Sequence, residues 1–136
     1  MFTIGQTFSY DELVRDEIIH EFARLSGDYN RLHTDQEYAS RTIFKQPIAH
    51  GMLSASYLSA LLGTKIVDTS THYVVYLEQS LKFVRPLKVN DEIHIRAVIT
   101  EWEPDTSTLR LQTTISNQYD KKVVEGDAVI KVLPLV

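Results

Sequence analysis

The chain has 136 residues, 43% of them hydrophobic and 24% charged, with a net charge of -4 and no cysteine. That length and composition fit one globular domain, residues 1–136, with a core of its own. The acidic balance argues against nucleic-acid binding, and the lack of cysteine removes disulfides, thiolate metal sites and a Cys nucleophile.

Taken in order, the N-terminus M-F-T-I-G-Q-T-F shows no basic segment followed by an apolar run, so no signal peptide is expected and a cytoplasmic location is the default. Ser9-x-x-Glu12 has the form of a capping box that would start a helix, while Phe8 and Tyr10 suit a short strand; both readings stand. From Asp16 onward, Ile18, Ile19, Phe22, Ala23 and Leu25 form a helical stripe opposite Glu17, His20, Glu21 and Arg24, ending at Ser26-Gly27. A polar loop follows to about Thr34, then a short helix around Asp35–Ser40. A polar loop this long is often functional.

From Ile48 to Thr64 there is no charged residue. Met52, Leu53, Ala55, Tyr57, Leu58, Ala60, Leu61 and Leu62 cover most of a helical wheel, which predicts a helix buried on most sides, closed by Gly63. The run is too short to span a membrane, which takes ~20 apolar residues.

After Lys65 the period changes to two. Tyr73–Phe83 is rich in Val, Tyr, Leu and Phe; Ile93, Ile95, Ala97 and Ile99, then Leu109, Leu111, Thr113 and Ile115, then Ala128, Ile130 and Val132, mark the buried faces of strands. Turn-like breaks fall at 85–91, 103–105 and 117–121. Strands joined by such turns predict an antiparallel meander, and the whole reads as an α+β fold with residues 52–62 packed in the concave face of a curled sheet.

Two places can carry chemistry. Asp28 and His33 lie in one loop, a carboxylate and an imidazole of the kind used for general acid–base work; taken alone, solvated loop residues have the same pattern. His50-Gly51 opens the buried helix, where free N–H groups and a glycine suit an oxyanion hole; equally, they suit an ordinary helix start. Ser54, Ser56 and Ser59 read as small residues that allow close packing, with Ser59 also able to face a ligand cavity. No zinc helix, histidine cluster or glycine-rich phosphate loop is present.

The run Phe22-Ala-Arg-Leu-Ser-Gly-Asp28-Tyr-Asn30-Arg-Leu-His33, followed by Gln46-Pro-Ile-Ala-His50-Gly51-Met52-Leu53, resembles the MaoC-like (R)-specific enoyl-CoA hydratases. Their motif has the form F-A-x-L-S-G-D-x-N-P-L-H, then P-I-x-H-G-M-L. Gln79-Ser-Leu-Lys-Phe83, Arg85-Pro86-Leu87 and Asn90-Asp91 match later family pieces, so the resemblance covers nearly the whole chain. It implies a hot-dog fold, a long buried helix wrapped by an antiparallel sheet, as a homodimer. It also implies hydration of trans-2-enoyl-CoA to (R)-3-hydroxyacyl-CoA, and the reverse dehydration, without metal or redox cofactor. The thioester would be carried by CoA or acyl carrier protein. On this resemblance Asp28 and His33 activate the water, and the Gly51 N–H binds the thioester oxygen. Asn30 fixes the loop, Ser59 lines the acyl or thioester site, and His50 sits at the substrate. The alternatives are another hot-dog enzyme, an acyl-thioester hydrolase, or a non-catalytic acyl-CoA-binding module. One departure stands out: Arg31 replaces the motif's proline, either as a tolerated loop change with the arginine in solvent or as a contact to an anionic part of the ligand.

Overall fold

The computed structural model describes residues 1–136. In chain order the elements are β1 (Thr7–Leu13), α1 (Asp16–Ser26), α2 (Arg31–Thr34), α3 (Gln36–Ser40), α4 (Gly51–Thr64), β2 (His72–Gln79), β3 (Lys82–Phe83), β4 (Glu92–Glu103), β5 (Thr108–Ser116) and β6 (Lys122–Pro134). All pairings are antiparallel, in the order β1-β4-β5-β6-β2, with the short β3 also on β6.

The meander holds for β4, β5 and β6 only. β2 does not pair with β4, the next long strand; it runs to the far side of β6, aligning Tyr73 with Leu133 and Val74 with Val132. The N-terminal segment is a strand, pairing Thr7 with Val98 through Leu13 with Glu92. The capping-box pattern loses because Phe8 and Tyr10 gain contact with the core, and the Tyr10 hydroxyl donates to the Tyr57 carbonyl at 2.9 Å. Burial, and then the charge of Glu12, push the Tyr10 phenol up to about 12, so it stays protonated and keeps that bond.

The inward residues of β4 and β5 are those of the period-two pattern: Ile93, Ile95, Ala97 and Ile99 face α4 beside Leu109, Leu111 and Ile115. From α4, Leu58, Leu61 and Leu62 are fully buried against them. At roughly 1.5–3 kcal/mol for each fully buried Leu or Ile, this layer dominates the folding energy. Two expectations about α4 change. Gly63 lies inside the helix, which runs to Thr64 and is capped by Lys65, whose N–H bonds the Leu61 carbonyl at 3.0 Å. And one side stays open in the single chain: Met52, Ser56, Ser59, Ala60 and Gly63 are exposed, because the curled sheet covers only the other side.

A polar network sits within the sheet core. Thr113, fully buried, donates through Oγ1 to the Gly126 carbonyl at 3.1 Å and accepts from Gln79 Nε2 at 3.0 Å. The Tyr76 hydroxyl donates to Gln79 Oε1. These bonds pin the break between β2 and β3, where the chain continues along one edge of β6 past Gly126. There, a Cβ on Gly126 would lie 1.8 Å from the Ser80 carbonyl oxygen.

Gly126→Ala is therefore expected to cost about 3 kcal/mol or more, since backbone and not a flexible side chain would have to move. Gly63→Ala, with nothing within 4 Å of the new methyl, is expected to gain roughly 0.5–1 kcal/mol of helix stability. Urea melts of the two variants measure both; a Gly126→Ala protein as stable as wild type contradicts this close approach of the Ser80 backbone.

Candidate active site

The site is built where the 27–34 segment docks on the entry to α4. α1 stops because Gly27 takes the left-handed conformation, φ 80°, and returns its N–H to the Ala23 carbonyl. Three side-chain turns then lead the chain onward. Ser26 Oγ accepts the Asp28 N–H at 3.1 Å, Asp28 Oδ1 accepts the Asn30 N–H at 3.1 Å, and Asn30 Oδ1 accepts the Leu32 N–H at 3.0 Å. The last of these caps α2, a one-turn helix absent from the sequence-based expectation, which had a loop to Thr34. His33 sits on that turn and is 8% exposed.

Opposite it runs Pro47 to His50. Ile48 donates its N–H to the Leu32 carbonyl at 3.3 Å, and its own carbonyl accepts the His33 Nδ1–H at 2.7 Å. A ring nitrogen facing a carbonyl must carry the proton, so neutral His33 keeps Nε2 as a free acceptor. His50 donates its Nε2–H to the Asp28 carbonyl at 2.9 Å and stacks on His33, centroids 4.0 Å apart and planes 29° apart. Phe22 packs against His50 at 4.9 Å. His50 is 1% exposed, so it is a support behind the site and not a substrate contact as expected from the motif.

The carboxylate of Asp28 and ring nitrogens of His33 and His50 lie within 4.8 Å of one another. The two rings stack with planes 29° apart, and each gives one N–H to a carbonyl and keeps its other nitrogen.

His33 opens into a cavity of about 460 Å³ whose wall is largely apolar: Phe44, Ile48, Ala49, Phe83, Val84, Leu87, Val123 and Val124, with Gly51, Ser54 and Arg85. Gly51 is the first residue of α4, and the first N–H groups of a helix have no intrahelical acceptor. The Phe83 ring lies so close that a Cβ on Gly51 would meet it at 3.0 Å. Ser59 does not line this cavity. It is eight residues along α4 from Gly51, about 12 Å at 1.5 Å per residue, and is exposed in the single chain. Ser54, 2% exposed, is the helix serine at the cavity wall. Its position one turn from Gly51 was the available signal, outweighed by its resemblance to a packing residue.

With this geometry the comparisons with known proteins agree. The chain belongs to the family described as "MaoC like domain", whose model matches residues 3–125. It is 37% identical over 128 residues to the (R)-specific enoyl-CoA hydratase of Rhodospirillum rubrum, covering 94% of this chain and 86% of the relative. It is 34% identical over 125 residues to the 3-hydroxybutyryl-CoA dehydratase of Methylorubrum extorquens, covering 89% and 77%. Among solved structures, the (R)-hydratase from A. caviae superposes with a TM-score of 0.89 at 36% identity, covering 96% of each chain. The fold is the hot-dog fold.

Burial holds the His50 imidazole below its usual value of 6.5; the bond to the Asp28 carbonyl opposes this and charge on His33 adds to it. Below pH 6.5 the unfolded chain therefore takes up a proton at His50 that the folded chain does not, and stability falls as the pH drops toward the lower folded value. His50→Phe, which keeps a stacked ring, is expected to remove this part of the pH dependence. Urea melts at about pH 7.5 and pH 5.5 measure it; equal pH dependence in both proteins contradicts a neutral buried His50.

Proposed function

We propose that this protein is an (R)-specific enoyl thioester hydratase that also runs the reverse dehydration. The observation that carries the reading is His33 beside Gly51 at the wall of an apolar cavity, with the Asp28 carboxylate within 4.8 Å of a His33 ring nitrogen: an acid–base pair next to an oxyanion donor. Both relatives named above act on CoA thioesters by their names, one as hydratase and one as dehydratase.

The enoyl chain lies in the apolar cavity, with its thioester oxygen at the Gly51 N–H. A water is held between the Asp28 carboxylate and His33 Nε2. Its oxygen bonds to C3, the C2–C3 π electrons move toward the thioester oxygen, and the helix N-terminus stabilises that developing charge. The Asp28/His33 pair takes one proton from the water and delivers one to C2, so each turnover restores the starting protonation state. Water supplies every atom that is added, so the reaction as written calls for no metal or redox cofactor. Asn30 fixes the loop through its cap on α2, and His50 holds both Asp28 and His33 from behind.

The acyl group is carried on CoA or acyl carrier protein. The same reading takes residues 1–136 as a single domain, places the enzyme in the cytoplasm and pairs two copies as a homodimer. No helix is long and apolar enough to cross a membrane. The strand β2 supports the dimer: it ends the sheet, and Tyr73, Val75 and Leu77 along it are 44%, 40% and 47% exposed, an edge that a second copy would cover.

With crotonyl-CoA, wild type is expected to remove the enoyl absorbance. Asp28→Asn and His33→Ala are each expected to lose at least about 10²-fold in kcat while keeping the wild-type circular dichroism spectrum. Full activity in either variant removes that residue from the mechanism. Release of CoA from a saturated acyl-CoA, with no enoyl hydration, makes the protein a hydrolase instead.

A further inference from the structure

His33 rides on a helix of four residues, Arg31–Thr34, too short to hold itself together. Proline at the first position of a helix fixes φ and gives up an N–H that has no partner there. That position is Arg31, so the stiffness has to come from elsewhere. The side chain provides it. Arg31 Nε and Nη2 both donate to Asp35 Oδ2, at 3.1 and 2.9 Å, and its guanidinium lies 4.7 Å from the centre of the Tyr38 ring. Asp35 also gives its backbone N–H to the Arg31 carbonyl at 3.0 Å, and its other carboxylate oxygen accepts the Tyr38 N–H at 3.0 Å. Asp35 thus ends α2 and begins α3 at once, and Arg31 closes a ring around the turn that carries His33.

We propose that Arg31 is a positioning residue: through Asp35 and Tyr38 it braces the one-turn helix of His33, and does not bind an anionic part of the substrate. The guanidinium is engaged on both its edge and its face, and it is absent from the cavity wall, where Arg85 is the cation. The Tyr38 N–H, and then Arg31, hold the Asp35 carboxyl below the usual carboxylate range, so the brace stays charged further into acid. Because the pair faces solvent, with the Arg31 side chain 64% exposed, its effect is modest and sensitive to salt.

The inference rests on the hydratase reading for its kinetic test but not for its spectroscopic one. In kinetics, Arg31→Ala is expected to lower kcat about two- to fivefold with KM nearly unchanged, as an exposed ion pair allows. Arg31→Pro is expected to restore kcat, and Asp35→Asn, which keeps an oxygen for the Tyr38 N–H, to behave like Arg31→Ala. Raising salt to about 1 M should lower kcat of wild type toward that of Arg31→Ala and leave Arg31→Pro alone. In NMR, the His33 ring signal is expected to be sharp in wild type and Arg31→Pro and broadened or shifted in Arg31→Ala. An inert wild type would defeat the hydratase reading, and the ring signals would still decide the brace. A wild-type His33 signal in Arg31→Ala, no rescue by proline, or a raised KM at constant kcat would overturn it, the last by placing Arg31 on the substrate.

Discussion

Everything proposed for this site depends on one docking: the 28–34 segment held on residues 48–50 by three hydrogen bonds. These run from the Ile48 N–H to the Leu32 carbonyl, from His33 Nδ1–H to the Ile48 carbonyl and from His50 Nε2–H to the Asp28 carbonyl. Each bond also settles something chemical. The second selects the His33 tautomer and leaves Nε2 toward the cavity. The third holds the backbone of Asp28, whose carboxylate keeps one oxygen beside the one that accepts the Asn30 N–H. Net hydrogen-bond energies of about 1 kcal/mol each are small, but losing a partner for a buried group costs more, so the docking is specific.

The docking surface in turn is only as rigid as α4. Its start is anchored beside Leu87, whose carbonyl accepts the Ala49 N–H at 2.7 Å, and its body is packed into the sheet through Leu58, Leu61 and Leu62. The greasiest helix of the chain therefore presents its polar N-terminus to the cavity. Core and site share one element: the leucines fix the axis, and the axis aims Gly51. The half-buried Tyr76–Gln79–Thr113 network, with the Tyr76 phenol pushed up to about 12 by burial, serves the opposite wall by holding the break that precedes Phe83.

Much of this was legible in one dimension, and the failures have physical causes. Period-two runs gave the inward faces of β4 and β5 residue by residue, because side chains in a half-buried strand have only two directions to take. α1 ended at Gly27 as read. Pairing order was not legible: nothing local says that β2 leaves its neighbours in sequence for the far edge of β6. The N-terminal strand was balanced against a helix because its decisive contacts, with β4 and Tyr57, lie far along the chain. At the site, Asp28 lies within 4.8 Å of His33, and His33 shares the cavity wall with Gly51. His50 and Ser59 did not go where the motif put them, since a motif records which residues recur and not which way they face. Arg31 read as solvated or as a ligand contact and is instead tied to Asp35 and Tyr38, partners at the start of the next helix that its own loop does not reveal.

The central claim is that one face of the enoyl group meets the water held by Asp28 and His33. The direct measurement is the configuration of the product: hydrate crotonyl-CoA with wild type and resolve the 3-hydroxybutyryl-CoA formed with stereospecific dehydrogenases. The account predicts the (R) product alone. A racemic product would contradict it, because a water fixed on one side of the cavity attacks one face only, and an (S) product would overturn the (R)-specific reading.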